Sequence, residues 1–412
     1  MTRDPGRVTA AAGTSYDPLD AGFHDHPYDA YRHLRDDDPV HRHTAPGAPP
    51  FWVLSRFADV WDAVRDPGTY SSASGLTFYP DEIGRLGLAP TLVMLDPPRQ
   101  TRLRALIGSG FTPRRVRGLE SALRDLVRER IAAMAAAERD GEQVDLHRDL
   151  STHLPTFALT ELFGVPAEER HRFGPWVTAL THLQDSGFDL ARMSGPDAVG
   201  EMFAYFGDLV AARREQPGED LISALVAADV DGERLTDWDV LGFCFVMTAG
   251  GTDTTANLVS HAAALLTAHP EQRALLLADP GLLGPAVVES LRVESSVQAL
   301  ARTATRDVTL HGSTIREGEK VLLLYGAANR DDREFGPTAE EFDIRREIPR
   351  HLGFASGPHF CVGSHLARLM AEVALDELLR AYPGVAVDPA RGERLRSAFT
   401  RGWVSLPASL AG

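Results

Sequence analysis

The sequence predicts a mainly α-helical fold with a minor β part, and three observations carry that reading. Apolar residues recur at helical spacing over most of the chain. One such pattern runs between Thr236 and His269, about 33 residues or roughly 50 Å of helix at ~1.5 Å per residue. β-type runs, by contrast, are few and short.

In chain order, the first 50 residues are rich in Asp, His and Pro and are expected to wrap the surface, the first 27 only loosely. Phe51–Ser55 reads as a strand and Phe57–Asp66 as a helix. Ser71–Pro90, with its Gly, Ser and Pro, reads as a long loop of the kind that often walls a site. Helical periodicity covers Arg99 to Gly141 with a break at Phe111–Pro113, then His153–Phe163, Ala198–Arg214 and Leu221–Ala228. Thr236 with Asp239 three residues on has capping-box spacing, and His269-Pro270 supplies a stop. Leu282–Glu294 is a further helix. Val308–Ile315 and Lys320–Leu324, joined through Glu317-Gly318, read as strands, and Gly363–Tyr382 as a last amphipathic helix.

A chain that is 43% apolar and 24% charged is ordinary globular composition, which excludes a disordered, collagenous or coiled-coil protein. Its 412 residues would suit two or three domains. The linker-like stretches Pro46–Pro50 and Gln216–Glu219 are too short to divide it, so one domain over residues 1–412 is expected. The balance of 58 acidic against 42 basic residues, a formal charge of −16, comes without a basic stripe, so no nucleic-acid partner is expected. Cys244 and Cys361, far apart in sequence, read as reduced thiols of a cytoplasmic protein. No signal-type segment opens the chain, and the most apolar stretch, Val240–Gly251, is far short of the roughly 20 residues that span a bilayer, so no membrane partner is expected.

Four constellations carry chemistry. Phe354-Ala355-Ser356-Gly357-Pro358-His359-Phe360-Cys361-Val362-Gly363 places a cysteine at the mouth of the last helix. A helix N-terminus stabilises a thiolate through its dipole and its unpaired N–H groups, and the glycines let a flat ligand approach. A buried structural cysteine is the commoner fate of this residue type. A Cys–His nucleophile is a third option, though no orienting Asn or Asp accompanies it. Ala249-Gly250-Gly251-Thr252-Asp253-Thr254-Thr255 sits in mid-helix, where two glycines cost roughly 1 kcal/mol each. Thr254 is placed to bond the Gly250 carbonyl, and with Asp253 it forms an acid–alcohol pair suited to relaying protons. Close packing of another helix at the small residues would explain the same sequence. Glu289-x-x-Arg292 pairs opposite charges on one helix face, worth little if exposed. Gln100, Arg104, Arg302 and His359 are scattered donors fit for carboxylates.

Taken in order, these pieces resemble the cytochrome P-450 family of haem-thiolate monooxygenases, in its bacterial form. The Cys loop is similar to F-G-x-G-x-H-x-C-x-G, the mid-helix stretch to A-G-x-D-T-T and Glu289…Arg292 to E-x-x-R. Phe342-Asp343-Ile344-Arg345-Arg346, Asp96-Pro97-Pro98 and Ala328-Asn329-Arg330-Asp331 also have family counterparts. The likeness runs from about Tyr28 to Pro407. It implies the cytochrome P-450 fold, with haem b between the long helix and the Cys loop, and Cys361 as the axial thiolate on iron. It implies further that Gln100, Arg104, Arg302 and His359 hold the haem propionates. Ala249 and Gly250 become the haem-facing floor of the oxygen pocket, Asp253 and Thr254 the proton-delivery pair, and Phe354 and Gly363 haem contacts. Glu289, Arg292 and Arg346 become a structural ion network. Cys244 matches no motif and reads as core packing.

The implied reaction inserts one atom of O2 into a hydrophobic small molecule, by hydroxylation or epoxidation. Substrate walls are expected at Gly75–Leu95, Trp176–Met193, Val246–Thr254 and Val297–Leu300, with Phe78, Val93, Val246 and Leu300 as apolar contacts and Gln298 as a polar anchor. No flavin or nicotinamide motif occurs, so NAD(P)H would serve only indirectly, through an acidic ferredoxin and its reductase, with the enzyme a monomer. Against a charge of −16 such a partner needs a local basic patch, for which Arg99, Arg102, Arg104, Arg345 and Arg350 are candidates. Four residues depart from the family pattern: Ala355 for its second Gly, Gln100 for His, and Ser296 and Asp332 for Pro. A peroxide-driven haem-thiolate enzyme and a non-catalytic haem or ligand-binding protein are the alternative readings.

Overall fold

Thr236 and Asp239 close a reciprocal capping box: the Asp239 N–H donates to Thr236 Oγ1 at 3.2 Å and the Thr236 N–H to Asp239 Oδ2 at 2.9 Å. From that start the long helix runs unbroken over Asp237–Ala268 and ends before Pro270, whose ring cannot continue it. The computed structural model describes residues 16–44, 48–86, 89–185 and 196–411.

The long helix is the spine of the main core. Val240, Phe243, Cys244, Leu258 and Val259 pack there with Leu123 and Val127 of helix Glu120–Arg139, Leu154 and Leu159 of helix His153–Phe163, and Met370 and Ala374 of helix Ser364–Ala381. Helices Arg99–Gly110, Pro196–Glu215, Leu221–Ala227 and Leu283–Val293 complete this side. The break expected near Phe111–Pro113 falls at a proper cap: Thr112 Oγ1 accepts the Arg115 N–H at 3.3 Å ahead of helix Pro113–Arg117. Among the described residues no single helix is long and apolar enough to cross a membrane.

The β part differs from the expected one. A five-stranded sheet runs in the order Val40–His43, Phe51–Leu54, Lys320–Leu323, Leu300–Ala304, Tyr70–Ser71. Residues 308–315 do not form one strand. They fold back on themselves as a hairpin, Val308–Leu310 against Ser313–Ile315, because His311 and Gly312 both take positive φ (47° and 84°) and turn the chain. Lys320–Leu323 pairs with Leu300–Ala304, putting Arg302 opposite Val321, and in parallel with Phe51–Leu54.

The N-terminal stretch is also more ordered than expected. Helix Tyr28–Asp37 buries Ala30, Tyr31 and Leu34, and Val40–His43 joins the sheet. Within the segment expected to be loose, residues 16–27 pack down: Tyr16 is buried with its ring edge-on to Phe23, and Arg401 donates to the His24 carbonyl. The polar composition concealed this because few aromatic anchors carry the packing.

Candidate active site

Cys361 stands three residues before the first residue of helix Ser364–Ala381. The Gly363 and Ser364 N–H groups at that helix mouth lie close enough to act on its thiol. Burial pushes the Cys361 pKa up, while those two N–H groups and the Arg104 guanidinium pull it down. A soft, partly exposed sulfur stabilised in this way suits a metal that completes its deprotonation. The loop is pinned from both ends. The Cys361 N–H donates to the Phe354 carbonyl at 2.9 Å, and Gly357 turns at φ +66° where a side chain would meet the Val64 carbonyl oxygen at 2.9 Å. Cys244, by contrast, is fully buried in the long helix, and burial drives its pKa far above the usual thiol range.

Across a cavity of about 300 Å³ from Cys361 lies the Ala249–Thr254 stretch of the long helix. A Cβ on Gly250 or Gly251 would meet nothing within 4 Å, and both residues line the cavity. The glycines therefore face open space rather than a neighbouring helix, which disposes of the close-packing explanation. Thr254 Oγ1 donates to the Gly250 carbonyl at 2.7 Å, and Asp253 lines the same wall.

The carboxylate-binding donors converge at one edge. Gln100, Arg104 and His359 line the cavity, and buried Arg302 stands close enough behind for its charge to act on His359. Burial first, then Arg302, holds His359 near a pKa of about 4, so it is neutral here, with Nε2 3.2 Å from Ser72 Oγ. Half-buried Arg104 makes no ion pair among the described residues. Gln100 is tied down, donating to the Pro358 carbonyl at 2.6 Å. Buried cationic donors without a carboxylate, a thiol at a helix mouth and a side-chain-free helix face together fit haem: sulfur for iron, arginines for propionates, glycines for the flat ring.

The Cytochrome P450 family matches residues 281–402. Cytochrome P450 130 of Mycobacterium tuberculosis is 43% identical over 388 residues, covering 92% of this chain and 94% of that protein. The chain belongs to the cytochrome P450 family. The Vitamin D(3) 25-hydroxylase of Pseudonocardia autotrophica is 35% identical, covering 98% of both chains. The structure of CYP109E1 from Bacillus megaterium in complex with testosterone superposes with a TM-score of 0.81 at 28% identity, covering 94% of this chain and 99% of that one. The protein is accordingly a P450 monooxygenase of bacterial type, in a family that carries haem and uses O2.

The P450 motif Glu289-x-x-Arg292 is anything but an exposed pair. Arg292 is 0% exposed and grips Glu289 through two hydrogen bonds, Nε–Oε2 at 2.7 Å and Nη2–Oε1 at 2.8 Å. It also donates to the Asn329 and Ala339 carbonyls, at 2.7 and 2.6 Å. Arg346 adds an ion pair to Glu289 at 3.2 Å. Asn329 extends this network: its Nδ2 donates to Ser295 Oγ and its Oδ1 accepts the Leu352 N–H at 2.7 Å, beneath the Cys loop. The motif Ala328–Asp331 held that residue, but no local pattern told what it ties together.

Two expected substrate contacts are corrected. Phe78 does not line the cavity; it stacks on Phe51 with centroids 4.5 Å apart and packs against Phe399 in a separate core. Gln298 also faces away. Its Oε1 accepts from Tyr31 at 2.8 Å and its Nε2 donates to the Ser295 carbonyl, so both ends of the amide are spent on the fold. Val93, Val246 and Leu300 do line the cavity, as does Phe354, while the Trp176–Met193 wall falls outside the described residues from 186 on. Of the arginines suggested for partner docking, Arg102 is paired with Glu233 at 3.2 Å and Arg350 with Glu334 at 2.6 Å. Arg99 and Arg345 are exposed, with no ion pair among the described residues.

Proposed function

We propose that this P450 binds haem b through Cys361 and inserts one oxygen atom from O2 into a hydrophobic small molecule by hydroxylation or epoxidation. The observation that carries this reading is the facing pair of a thiol at a helix mouth and a glycine-lined helix wall bearing Asp253 and Thr254. Haem bound there would be held through Cys361 and would supply the oxygen-activating chemistry.

The chain's own residues do the rest. Gln100, Arg104, Arg302 and His359 orient the propionates, whose negative charge would also offset the desolvation that now keeps His359 neutral. Ala249 and Gly250 leave room for O2 against the helix. Asp253 takes protons from solvent and hands them to Thr254 Oγ1, which presents them to the cavity. The apolar wall of Leu92, Val93, Val246, Val297 and Leu300 keeps water off and holds the substrate. A substrate of terpenoid or steroid size is supported by the relatives, one of them named as a vitamin D(3) hydroxylase and another solved with testosterone.

Electrons come from a separate acidic ferredoxin and its reductase, and so from NAD(P)H only indirectly, the whole chain serving as one catalytic domain that works as a cytoplasmic monomer. Arg99 and Arg345, exposed and without an ion pair among the described residues, are the charges offered for that encounter. The test is spectroscopic. Reduced protein with carbon monoxide should show the red-shifted Soret band of thiolate ligation, which Cys361→Ser abolishes and Cys244→Ala leaves in place. With ferredoxin, reductase and NADH, oxygen uptake should depend on substrate and yield an oxygenated product. Loss of the band in the Cys244 variant alone would overturn the ligand assignment.

A further inference from the structure

Residues 395–401 form a cavity wall one segment thick. On the inner side Leu395, Ser397, Phe399 and Thr400 line the cavity. On the outer side the same segment meets residues 16–27, where Tyr16, Phe23 and His24 enclose a small pocket of about 10 Å³ with Leu395, Ala398 and Arg401. Two arginines clip these layers together, one near each end of the segment. Arg396 donates to the Ala21 carbonyl and pairs with Asp25 at 3.2 Å, and Arg401 donates to the His24 carbonyl.

The two ends are held differently. Arg401 is 6% exposed, and its Nε donates to Glu294 Oε2 at 2.8 Å while Tyr28 donates to the other oxygen of that carboxylate. Its backbone is fixed too: the N–H donates to the Ser296 carbonyl at 2.8 Å, and the carbonyl lies 3.1 Å from His261 Nε2. This end belongs to the frame. The tip, residues 396–398, does not. Ser397 Oγ accepts the Phe399 and Thr400 N–H groups, which closes the turn on itself. Among the described residues, the hydrogen bonds that join the tip to another element are those of Arg396 with Ala21 and Asp25. Ala398 adds apolar contact in the core that holds Tyr16 and Phe23.

A turn with so few ties opens easily, and where it rests is set by what it is tied to. Here that is residues 21–25, outside the cavity, while the residues flanking the tip line the cavity on the other side. Resting on the monooxygenase reading, which makes this cavity the substrate site, we propose that residues 16–27 act as a strap that sets the position of the 395–401 wall, with Arg396 and Arg401 as positioning residues, so that contacts made outside the cavity decide how tightly a bulky apolar substrate is held. Arg396 does not line the cavity, so its effect passes through the wall.

The experiment uses the haem-loaded full chain and two probes titrated by Soret shift. Imidazole ligates iron through a ring nitrogen; 1-dodecylimidazole does the same and adds an apolar chain for the walls. Amide exchange of the 395–401 peptide, followed by mass spectrometry, reads the wall itself. In Arg396→Ala that exchange should quicken and 1-dodecylimidazole should bind more weakly, each by about fivefold, the scale of one net hydrogen bond. Asp25→Asn, and Arg401→Lys, which keeps the charge beside Glu294 but gives up the reach to His24, should move both readouts in the same direction. Arg396→Lys should stay close to wild type, and imidazole affinity should hold in all four variants. Faster exchange without weaker 1-dodecylimidazole binding, weaker binding without faster exchange, or no change in either overturns the inference. So does a parallel loss of imidazole affinity, which marks a general disturbance of the haem site. A wild type whose Soret band imidazole leaves unmoved would sink the monooxygenase reading itself, and the inference with it.

Discussion

The two walls of the cavity are built on opposite plans. Beneath Cys361 almost every polar group is satisfied: Glu289 is gripped by Arg292 and Arg346, Arg292 spends its other donors on backbone carbonyls, and Asn329 bonds at both ends of its amide. On the substrate side the glycines face open space and the hydroxyls of Ser296 and Thr91 lack partners. The difference teaches where rigidity and where vacancy are needed. A metal ligand has to be held against a fixed frame, and a fully satisfied buried network supplies one. A pocket needs a face kept clear of side chains, which Gly250 and Gly251 supply.

The sharpest way to break this comparison is to open the satisfied side. Arg292→Leu would leave the Glu289 carboxylate buried beside only Arg346 and orphan the carbonyls of Asn329 and Ala339. Removing one partner of a buried pair costs about 3–5 kcal/mol. The expected outcome is little or no haem-bearing protein, and a urea midpoint lowered accordingly in any that is recovered. An unchanged midpoint would mean that the network is ornamental and the contrast false.

Acid probes the frame behind the long helix. His147, with Nδ1 3.0 Å from Ser260 Oγ, and His261, with Nε2 3.1 Å from the Arg401 carbonyl, are both buried and held by desolvation near a pKa of about 4. The unfolded chain protonates these rings near pH 6.5 whereas the folded one resists down to about 4, so between those values the unfolded state binds more protons. Stability is therefore full above about pH 6.5 and falls as the pH drops toward 4. Each ring contributes at most about 3 kcal/mol over that window. Urea unfolding at pH 7, 6 and 5 checks it, with His147→Asn and His261→Asn each expected to flatten the slope by up to one proton. A slope that both variants leave untouched would assign the acid sensitivity to other groups.

On the open side, Thr254→Ala should act on coupling rather than on fold. Among the described residues its hydroxyl bonds only within its own helix, to Gly250, so its loss unties no other described element. Oxygen uptake and NADH consumption should continue, with more peroxide and about tenfold less product per NADH, below the roughly 10²–10⁴-fold that a positioned proton donor typically gives the rate. Product yield measured against NADH decides it; an unchanged ratio would remove Thr254 from the proton path.

The same division governs what could be read from the sequence. The long helix and its cap were legible as local patterns with a physical reason at fixed spacing, whereas the roles expected of Cys361 and the Glu–Arg pair came only with the family resemblance. The helix ends at Thr236 and His269 were marked by a capping box and a proline. What could not be read depends on which chain segments meet. Leu300–Ala304 shows no clean alternation, and it is a strand because Lys320–Leu323 lies beside it. Gln298 and Ser296 are two residues apart, yet one side chain turns to Tyr31 and is satisfied while the other stays in the cavity wall without a partner. No periodicity distinguishes them. Aromatic residues suit pockets and cores alike, and the stacked ring of Phe51 places Phe78 in the core.

The smallest expected effect concerns a flaw in the satisfied wall. Ala355, where the family pattern has Gly, adopts φ +54°, in the left-handed region where an L side chain crowds the following carbonyl at about 1–2 kcal/mol. Its N–H donates to the Leu352 carbonyl at 2.9 Å, which fixes the turn that carries the chain toward Cys361. Ala355→Gly relieves that crowding but gives the unfolded chain more freedom, which offsets about 0.5–1 kcal/mol of the gain. The methyl group also packs against the sheet-side core, and that contact would be lost. The sum is a stabilisation of roughly 0.5 kcal/mol, read from the urea midpoint, with the Soret band unmoved because the Cys361 hydrogen bonds remain. A destabilised Ala355→Gly protein would mean that the methyl contact outweighs the strain, and that this wall was satisfied at Ala355 as well.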